Sequence, residues 1–427
     1  MRIVYSLIFS LLFVFITIPV CATTDLQQLI EDSEEGATLQ LSSGTYEGNF
    51  SINKSITIVA DEGVIFKPKE IDEPIITIIG AKDVSIQGLQ FVTQGTGVEI
   101  KDSEKVQLSD ITMTNVNSGI GIYRSKNIDI QNISVTGNDR HYSKKGNGIA
   151  AFNSANLIVK NNKFYKVQDG IYIENVKGAI VENNKVEDSR YGTHFMYSED
   201  VQAVRNEYVK NVTGLMIMMT KNVTLEQNDV SYQDGFNGTG ITLYEVENID
   251  IKDHIISGNR VAISIQKTTG VHIINNILQM NQTAVESIKS DHTNLVEKNY
   301  FVGNLVNVRS DMNGIDLKEN YYDDYSGIDI DEDGVGEDSY VALQSFGQWM
   351  VRKPVYQYYV EAPSVVLLNE IDKQTNKAAK QLLVDETPKT TFETEKNIQF
   401  EIHLSQLIVG LVLVIGCLAI WRRSVLS

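Results

Sequence analysis

The chain has 427 residues, with 55 acidic against 37 basic side chains, six prolines and two cysteines. This length allows two or three domains or one long repeat array, and the net charge of −18 argues against nucleic acid as a partner, because phosphate binding draws on clustered Lys and Arg. Cys21 and Cys417 lie in apolar runs at the two ends, which excludes disulfides, zinc fingers and thiol nucleophiles from the body of the chain.

The first 22 residues have the pattern of a secretory signal peptide. Arg2 precedes an apolar run, and small residues around Ala22 stand before a polar segment, so we expect cleavage after Ala22. Lipid attachment at Cys21 is the alternative, which Val20 disfavours because a small residue is wanted there. Residues 25–33 then predict a short amphipathic helix that covers the first turn of the fold.

Residues 23–339 carry an internal repeat of about 22 residues. One column of small residues marks it: Gly97, Gly119, Gly148, Gly170, Gly192, Gly214, Gly240, Ala262, Ala284 and Val306. A second column, Asn162, Asn184, Asn206 and Asn228, keeps the same spacing and predicts a ladder of stacked amides. Three short Val/Ile-rich strands per repeat leave no room for a crossover helix, so the pattern predicts an all-β fold, a parallel β-helix of ~22-residue rungs.

The register separates inward from outward side chains. Counted from each small residue, the first and third positions are almost wholly apolar and point inward, so the second and fourth point outward. On two adjacent rungs the outward positions are His194 and Met196, then Met216 and Met218, with Met219 in the next column. Thioethers and imidazole favour Cu(I) over Zn, Ca or Mg. Methionine as a gap filler beneath a partner and a carbohydrate platform with the neighbouring aromatics are the alternatives.

An acidic loop, residues 323–340, follows the last rungs. Asp329, Asp331, Asp333 and Asp338 approximate a calcium-binding D-x-D-x-D-G loop, although Tyr340 stands where the usual twelfth-position Glu is expected. The loop predicts a structural Ca²⁺ site, with an ordinary acidic turn as the alternative.

The C-terminal part predicts a membrane anchor. Residues 340–371 are aromatic and aliphatic and are expected to close the last rung, and 372–403 form a charged tether. Residues 404–421 are apolar and precede Arg422 and Arg423, so they predict a transmembrane helix with residues 422–427 in the cytoplasm. A core-packed helix is the alternative. The pattern therefore predicts an ectodomain on the outer face of the plasma membrane.

Catalytic templates are weak throughout the chain. No Gly-rich phosphate loop, zinc-protease helix or G-x-S-x-G elbow is present, and the outward acids are scattered over different rungs. We therefore predict that the protein is not an enzyme. A polysaccharide lyase, hydrolase or epimerase and a purely structural surface rod are the rival hypotheses.

Several segments together resemble the NosD family of nitrous oxide reductase maturation proteins: HFMYSEDV, then GLMIMMT one rung later, ENYYDDYSGIDIDEDGVGEDSY, SFGQWMVRKP and EAPSVVLLNEID. The resemblance runs over residues 24–371. It is specific because generic β-helix proteins share the repeat but not the histidine–methionine segment joined to this C-terminal block.

The resemblance implies a right-handed, pectin-lyase-like β-helix and an exported, non-catalytic factor that relays Cu(I) on the outer face of the membrane. Implied partners are the membrane subunit of an ABC transporter and its ATPase, nitrous oxide reductase and another copper-donor protein. His194, Met196 and Met218 fall on family-like positions, and the candidate surface for docking on the transporter contains Trp349, Tyr356, Tyr358 and Tyr359. Family members are mostly soluble and periplasmic, so the predicted anchor is a departure.

Overall fold

The computed structural model of the chain describes residues 17–20, 25–233, 238–290, 293–311, 314–343, 353–359, 362–375 and 383–391. These residues form a parallel β-helix in which the chain passes repeatedly through three sheets. Two α-helices, Leu26–Asp32 and Pro363–Thr375, and two 3-10 helices, Tyr142–Lys144 and Pro354–Tyr359, are the helical elements of the described part. The predicted all-β fold is confirmed. The compact unit Met1–Thr390 contains every element described below.

The three sheets run along the coil, and almost all of their strand pairs are parallel. Sheet 1 consists of Thr17–Val20, Ala37–Leu41, Ile56–Ala60, Lys82–Gln87, Glu104–Ser109, Lys126–Gln131, Ala155–Lys160, Lys177–Glu182, Glu199–Val204, Lys221–Glu226, Glu247–Lys252, Thr269–Ile274, Leu295–Glu297, Asp316–Lys318, Tyr340–Leu343 and Leu383–Asp385. Sheet 2 consists of Phe50–Ile52, Ile76–Ile79, Thr96–Lys101, Ser118–Tyr123, Ile149–Phe152, Asp169–Glu174, Tyr191–Met196, Thr213–Met218, Thr239–Tyr244, Val261–Gln266, Thr283–Ile288 and Val306–Ser310. Sheet 3 consists of Gly44–Glu47, Val64–Lys67, Gln90–Val92, Thr112–Val116, Ser134–Gly137, Lys163–Tyr165, Lys185–Glu187, Glu207–Val209, Asp229–Ser231, Ile255–Ser257, Ile277–Gln279, Tyr300–Val302 and Tyr321–Tyr322.

The interior of the coil is a continuous stack of aliphatic side chains. In sheet 2, Val98, Ile120, Ile149 and Ile171 are partners on successive strands, and all four are fully buried. Because neighbouring strands lie about 4.8 Å apart, like residues stack directly on like residues. The inward columns assigned from the sequence are therefore confirmed, and one apolar core runs the length of the coil.

The predicted amide ladder is also present. Asn206 Oδ1 accepts hydrogen bonds from the backbone N–H and the Nδ2 of Asn184, at 2.9 and 3.0 Å, and its own Nδ2 donates to Asn228 Oδ1 at 2.9 Å. Its Nδ2 also donates to the carbonyl of Val181. His254 continues the column, and its Nδ1 accepts the N–H of Asn228 at 2.8 Å. The ladder satisfies backbone N–H groups that point into the coil where the chain bends.

A second ladder was not recognised in the sequence. It occupies another bend and consists of Ser189, Asn211, Gln233, Asn259, Asn281 and Asn304. From Asn211 onward, each side-chain oxygen accepts the backbone N–H of the preceding member, at 2.9 to 3.0 Å. Serine and glutamine stand at two of the first three positions, Ser189 and Gln233, so the asparagines do not form an unbroken repeat in the sequence.

At the N-terminal end, the helix Leu26–Asp32 covers the first rung of the β-helix. Its Leu26 and Ile30 are buried, and the side chain of Asp25 accepts a hydrogen bond from the N–H of Gln28 as an N-cap. The strand Thr17–Val20 pairs in parallel with Ala37–Leu41. This strand lies within the predicted signal peptide, whose residues 1–16 and 21–22 are outside the described part.

At the C-terminal end, the structure differs from the predicted tether. Leu383–Asp385 falls within residues 372–403, yet it forms a strand with Asp316–Lys318 and Tyr340–Leu343. Asp385 Oδ2 accepts hydrogen bonds from the N–H and Nδ2 of Asn320, both at 3.0 Å, so a carboxylate ends the amide ladder. No helix in the described residues is both long and apolar enough to cross a membrane, and the predicted transmembrane segment 404–421 lies outside them.

Candidate metal centre

Two adjacent strands of sheet 2, Tyr191–Met196 and Thr213–Met218, carry the histidine and methionines singled out above. His194 is the partner of Met216, and Met196 is the partner of Met218. Alternate residues of both strands are buried in the core, so these four side chains emerge on the outer face of the sheet. With strands about 4.8 Å apart, they form one patch, which we call the His/Met patch.

Met219 does not continue the strand. Its φ of 47° is in the left-handed region, as is that of Tyr197 at the equivalent position of the preceding rung, so both residues lie in bends. The N–H of Met219 donates to the carbonyl of Tyr244 at 2.9 Å. The structure therefore brings four of the five proposed ligands together on one face and places Met219 at the edge of the patch.

His194 is buried although it lies on the outer face. The rings of Tyr172 and Tyr191 pack edge-on against the imidazole, with centroids 4.9 and 5.2 Å away, and leave the residue 6% exposed. The exposed column expected from the sequence is thus closed over at this rung by aromatic side chains. Its Nε2 is buried and has no hydrogen-bond partner among the residues that the structure describes.

The other imidazole nitrogen faces a buried ion pair. Nδ1 of His194 lies 3.4 Å from Oδ2 of Asp169, a residue that is completely buried. Arg190 donates to both oxygens of Asp169, from Nε and Nη2, each at 2.7 Å. The guanidinium also lies 4.4 Å from the ring centroid of Tyr191. A bidentate arginine of this kind compensates the buried carboxylate.

Tyr172 connects the patch to a neighbouring carboxylate. Its hydroxyl donates to Oε2 of Glu174 at 2.5 Å and lies 3.5 Å from the sulfur of Met196. Burial, followed by the hydrogen bond to Glu174, raises the pKa of Tyr172 well above its usual range. Tyr172 therefore stays a neutral donor at physiological pH, and Glu174 is engaged beside the patch.

The donor set fits a soft cation. The register places His194 beside Met216 and Met196 beside Met218, the three methionines are half-buried, and the described residues contain no cysteine. A polar atom that is buried without a partner is unfavourable in an empty protein, and coordination of a metal ion satisfies it. Thioether and imidazole ligands together favour Cu(I) among the common metals.

Sequence reasoning missed the groups that hold the histidine. Asp169 stands one position before the small residue Gly170, and Arg190 stands two positions before Gly192, so neither falls in the columns that were compared. A signal was present, because Asp169 is the register partner of Tyr191, next to Arg190. Opposite charges at that spacing predict an ion pair between neighbouring rungs.

The acidic loop brings three of its four proposed ligands together. Carboxylate oxygens of Asp329, Asp331 and Asp333 lie within 4.8 Å of one another, and Asp338 is not part of this group. Asp329 accepts hydrogen bonds from the N–H groups of Asp333 and Gly334, at 3.2 and 2.9 Å. These bonds shape a tight turn around the carboxylates.

The proposed docking residues lie partly within the described chain. Tyr358 and Tyr359 of the 3-10 helix Pro354–Tyr359 are 67% and 55% exposed, Tyr356 is half-buried, and Trp349 lies outside the described residues. The following helix exposes several large apolar side chains: Val366, Leu367, Leu368 and Ile371.

The fold and the His/Met patch define this chain as a parallel β-helix protein with a candidate soft-metal site. A family model described as "Periplasmic copper-binding protein (NosD)" matches residues 131–330, which include both strands of the patch. The "Probable ABC transporter binding protein NosD" of Stutzerimonas stutzeri is 25% identical over 419 residues, which cover 92% of this chain and 95% of that protein. The chain is therefore similar to NosD proteins, through the family model over residues 131–330 and through this relative over most of its length.

Solved structures with a similar course of the chain include two polysaccharide enzymes. The A-module of mannuronan C-5 epimerase AlgE6 from Azotobacter vinelandii is 14% identical, with a TM-score of 0.48 over 67% of this chain and 85% of that one. An exopolygalacturonase from Thermotoga maritima is 10% identical, with a TM-score of 0.44 over 70% and 90% of the two chains. Nothing about activity follows at these scores.

Proposed function

We propose that this protein is a non-catalytic accessory factor that relays Cu(I) on the outer face of the membrane during maturation of nitrous oxide reductase. The observation that carries the proposal is the buried Nε2 of His194, which has no hydrogen-bond partner among the described residues, on the same sheet face as Met196, Met216 and Met218. Similarity to a family described as copper-binding supports the choice of metal.

The exposure of the patch suits a relay rather than permanent storage. His194 is buried, whereas Met196, Met216 and Met218 are only half-buried, so the thioethers are the first groups that an incoming ion meets. Thioethers are neutral and flexible, which allows one ligand to be exchanged for another without proton transfer. An ion held in this way can pass between proteins by stepwise replacement of its ligands.

The local charges favour a monovalent cation. The carboxylate of Asp169 is balanced by Arg190, whereas Glu174 accepts a hydrogen bond from the neutral Tyr172 hydroxyl and keeps its charge, so these four described residues carry one net negative charge. A divalent ion would keep an uncompensated charge in a partly buried site, which is unfavourable.

We place the protein outside the cytoplasm, with residues 1–22 as a signal peptide and 404–421 as a membrane anchor. The apolar composition of both segments and the arginines after the second support this topology. The expected mature N-terminus is Thr23, and amino-terminal sequencing of the exported protein tests it.

We propose the segment around Tyr356, Tyr358 and Tyr359, with Trp349, as the surface that docks on the membrane subunit of an ABC transporter, whose ATPase lies on the cytoplasmic side. Exposed aromatic and apolar side chains are enriched at such interfaces. The name of the Stutzerimonas stutzeri relative supports a transporter partner. A copper-donor protein upstream and nitrous oxide reductase downstream complete the relay.

We propose a structural Ca²⁺ in the acidic loop, held by Asp329, Asp331 and Asp333, with Asp338 as a further candidate. The clustering of the first three carboxylates supports it. Calcium would raise the melting temperature of the wild-type protein but not that of an Asp331→Asn, Asp333→Asn variant.

Copper binding is tested by anaerobic competition against a Cu(I) chelator of known affinity. The triple variant His194→Ala, Met196→Ala, Met218→Ala should bind Cu(I) at least about 100-fold more weakly than the wild type, because three ligands are lost. The matched control is His272→Ala, Met280→Ala, which removes the same residue types from exposed or half-buried positions away from the patch. Equal affinity of the triple variant and the wild type would contradict the site.

The biological role is tested in cells that carry the same variants. Loss of the patch should leave nitrous oxide reductase present but copper-deficient, while the control variant supports full copper loading. A reductase that is fully loaded without the patch would contradict the relay, and cleavage of uronic acid polymers by the purified protein would favour the polysaccharide-enzyme hypothesis instead.

A further inference from the structure

The imidazole of His194 is fixed by neighbours on three sides. Two tyrosine rings pack against it, and Asp169 lies at its Nδ1. In a neutral imidazole one nitrogen donates and the other accepts, and the surroundings decide which. The position of Asp169 therefore bears directly on which nitrogen of His194 is free for a ligand.

Asp169 presents only acceptor atoms to the ring. It is completely buried, and Arg190 donates to both of its oxygens at 2.7 Å, which keeps the carboxylate charge-balanced and holds its plane. Oδ2, the oxygen nearer to the imidazole, lies 3.4 Å from Nδ1. A proton on Nδ1 gives a hydrogen bond there, whereas a lone pair on Nδ1 would face a negative charge.

The far side of the ring offers the opposite environment. Nε2 is buried and, within the described part of the chain, has no hydrogen-bond partner. A proton at Nε2 would thus be buried without an acceptor, whereas a lone pair there can bind a metal ion. Both sides of the ring select the same tautomer.

We propose that Asp169 and Arg190 are positioning residues, which hold His194 in the Nδ1–H tautomer and aim the Nε2 lone pair at the cation that the His/Met patch binds. The pair touches no ion itself. This inference rests on the proposed copper site for its consequence, but the tautomer is a property of the metal-free protein and can be measured without copper.

The first measurement is the tautomer of His194 in the purified full-length, metal-free protein. Selective ¹⁵N labelling of the six histidines, with assignment through His194→Ala, reports which ring nitrogen carries the proton. We expect Nδ1 to be protonated and Nε2 to be bare. A proton on Nε2 in the wild type would overturn the inference, and this measurement stands even where a variant does not fold.

The second measurement uses Asp169→Asn, which keeps the size of the side chain but offers Nδ1 a donor as well as an acceptor. We expect a mixture of tautomers and a Cu(I) affinity lower by about ten- to a hundredfold, the usual effect of removing a group that orients a metal-bound histidine. A variant that keeps the single Nδ1–H tautomer and the wild-type affinity would contradict a positioning role.

A matched control is available on the surface. Arg124 donates to both oxygens of Asp102 at 2.7 and 2.8 Å, the same fork as that of Arg190 and Asp169, but the pair is exposed and away from His194. Asp102→Asn should change neither the tautomer nor the affinity. If the wild type has the expected tautomer but binds no Cu(I), the proposed function fails and the positioning role within the fold remains.

Discussion

At the scale of single residues, this protein depends on side chains that are buried because the coil repeats. An inward asparagine would be unfavourable alone, but in a stack each amide accepts from the rung before and donates to the rung after. The same stacking explains why glycine recurs in the small-residue column, because the backbones of neighbouring rungs approach closely there. Most of these positions could be predicted from the sequence, since each recurs at the same spacing.

Replacing Asn206 by alanine should destabilise the coil by about 2–4 kcal/mol. The variant removes the acceptor for the backbone N–H and Nδ2 of Asn184 and leaves buried polar groups unpaired. Urea unfolding followed by circular dichroism measures the change. The control is Gln202→Ala, an exposed position on the neighbouring strand Glu199–Val204, which should change stability by less than about 0.5 kcal/mol. Equal effects of the two variants would contradict a structural role for the ladder.

Replacing Gly192 by alanine should destabilise the rung that carries His194. A Cβ there would lie 2.2 Å from Cδ1 of Tyr208 and 2.4 Å from the carbonyl oxygen of Gly214, so the backbone of two rungs must move apart. We expect a cost of about 3 kcal/mol or more, measured by thermal unfolding. Ala262 occupies the same column three rungs later, and Ala262→Gly should cost only about 1 kcal/mol. A well-tolerated Gly192→Ala would show that the rungs can separate freely.

At the scale of elements, the least predictable feature is the strand that closes the coil. Asp385 is fully buried and accepts hydrogen bonds from Asn320, from the Tyr322 hydroxyl at 3.2 Å and from the N–H of Thr387 at 3.0 Å. Tyr340 stacks on Tyr322 with ring centroids 3.7 Å apart. The sequence around Asp385 is short and charged, so it resembles a tether, and its partner lies 65 residues earlier. Only the folded structure shows that the N–H and Nδ2 of Asn320, the last asparagine of the ladder, need an acceptor from outside the repeat.

Replacing Asp385 by alanine should release this strand. Four hydrogen bonds are lost from a fully buried group, and the last rung is left without a terminal acceptor. We expect faster hydrogen exchange in Tyr321–Tyr322 and earlier proteolysis around residue 385, with little change near the His/Met patch. Glu386→Ala, at the exposed neighbouring position, is the control. Unchanged protection in Tyr321–Tyr322 would contradict the closing role.

At the scale of the whole molecule, the coil behaves as a stack in which each rung is stabilised by its two neighbours. One long apolar core runs through it, so tyrosines that enter this core lose contact with water. Tyr208 and Tyr322 are both fully buried, and burial raises the pKa of each hydroxyl above its usual value of about 10. Because of these buried hydroxyls, the free energy of unfolding depends on pH in the alkaline range.

The protein should lose stability as the pH rises above about 10. Above that pH these tyrosines ionise in the unfolded chain but stay protonated in the folded one. The free energy of unfolding is therefore unaffected below that pH and falls above it, by about 1.4 kcal/mol per tyrosine near pH 11. Tyr208→Phe should reduce this alkaline loss, although it costs about 1 kcal/mol at pH 8 by removing the 2.8 Å hydrogen bond with Thr193.

Urea unfolding of the wild type and of Tyr208→Phe, at pH 8 and near pH 11, measures how much stability each protein loses at alkaline pH. Tyr197→Phe, at a half-exposed position, is the matched control and should retain the full alkaline loss. If Tyr208→Phe loses as much stability as the wild type, the buried hydroxyl is not the cause.

The sequence by itself determined the coil, its register, the inward columns, the first amide ladder and the face on which His194 and Met196 lie. These features depend on contacts between residues one repeat apart, and such contacts leave a periodic trace in the chain. The tertiary structure alone decided that His194 is buried, that Asp169 and Arg190 hold it, and that Asp385 closes the stack. Those outcomes depend on side-chain conformations and on partners outside the repeat. Such contacts do not recur at a fixed spacing, so the sequence shows no pattern that predicts them.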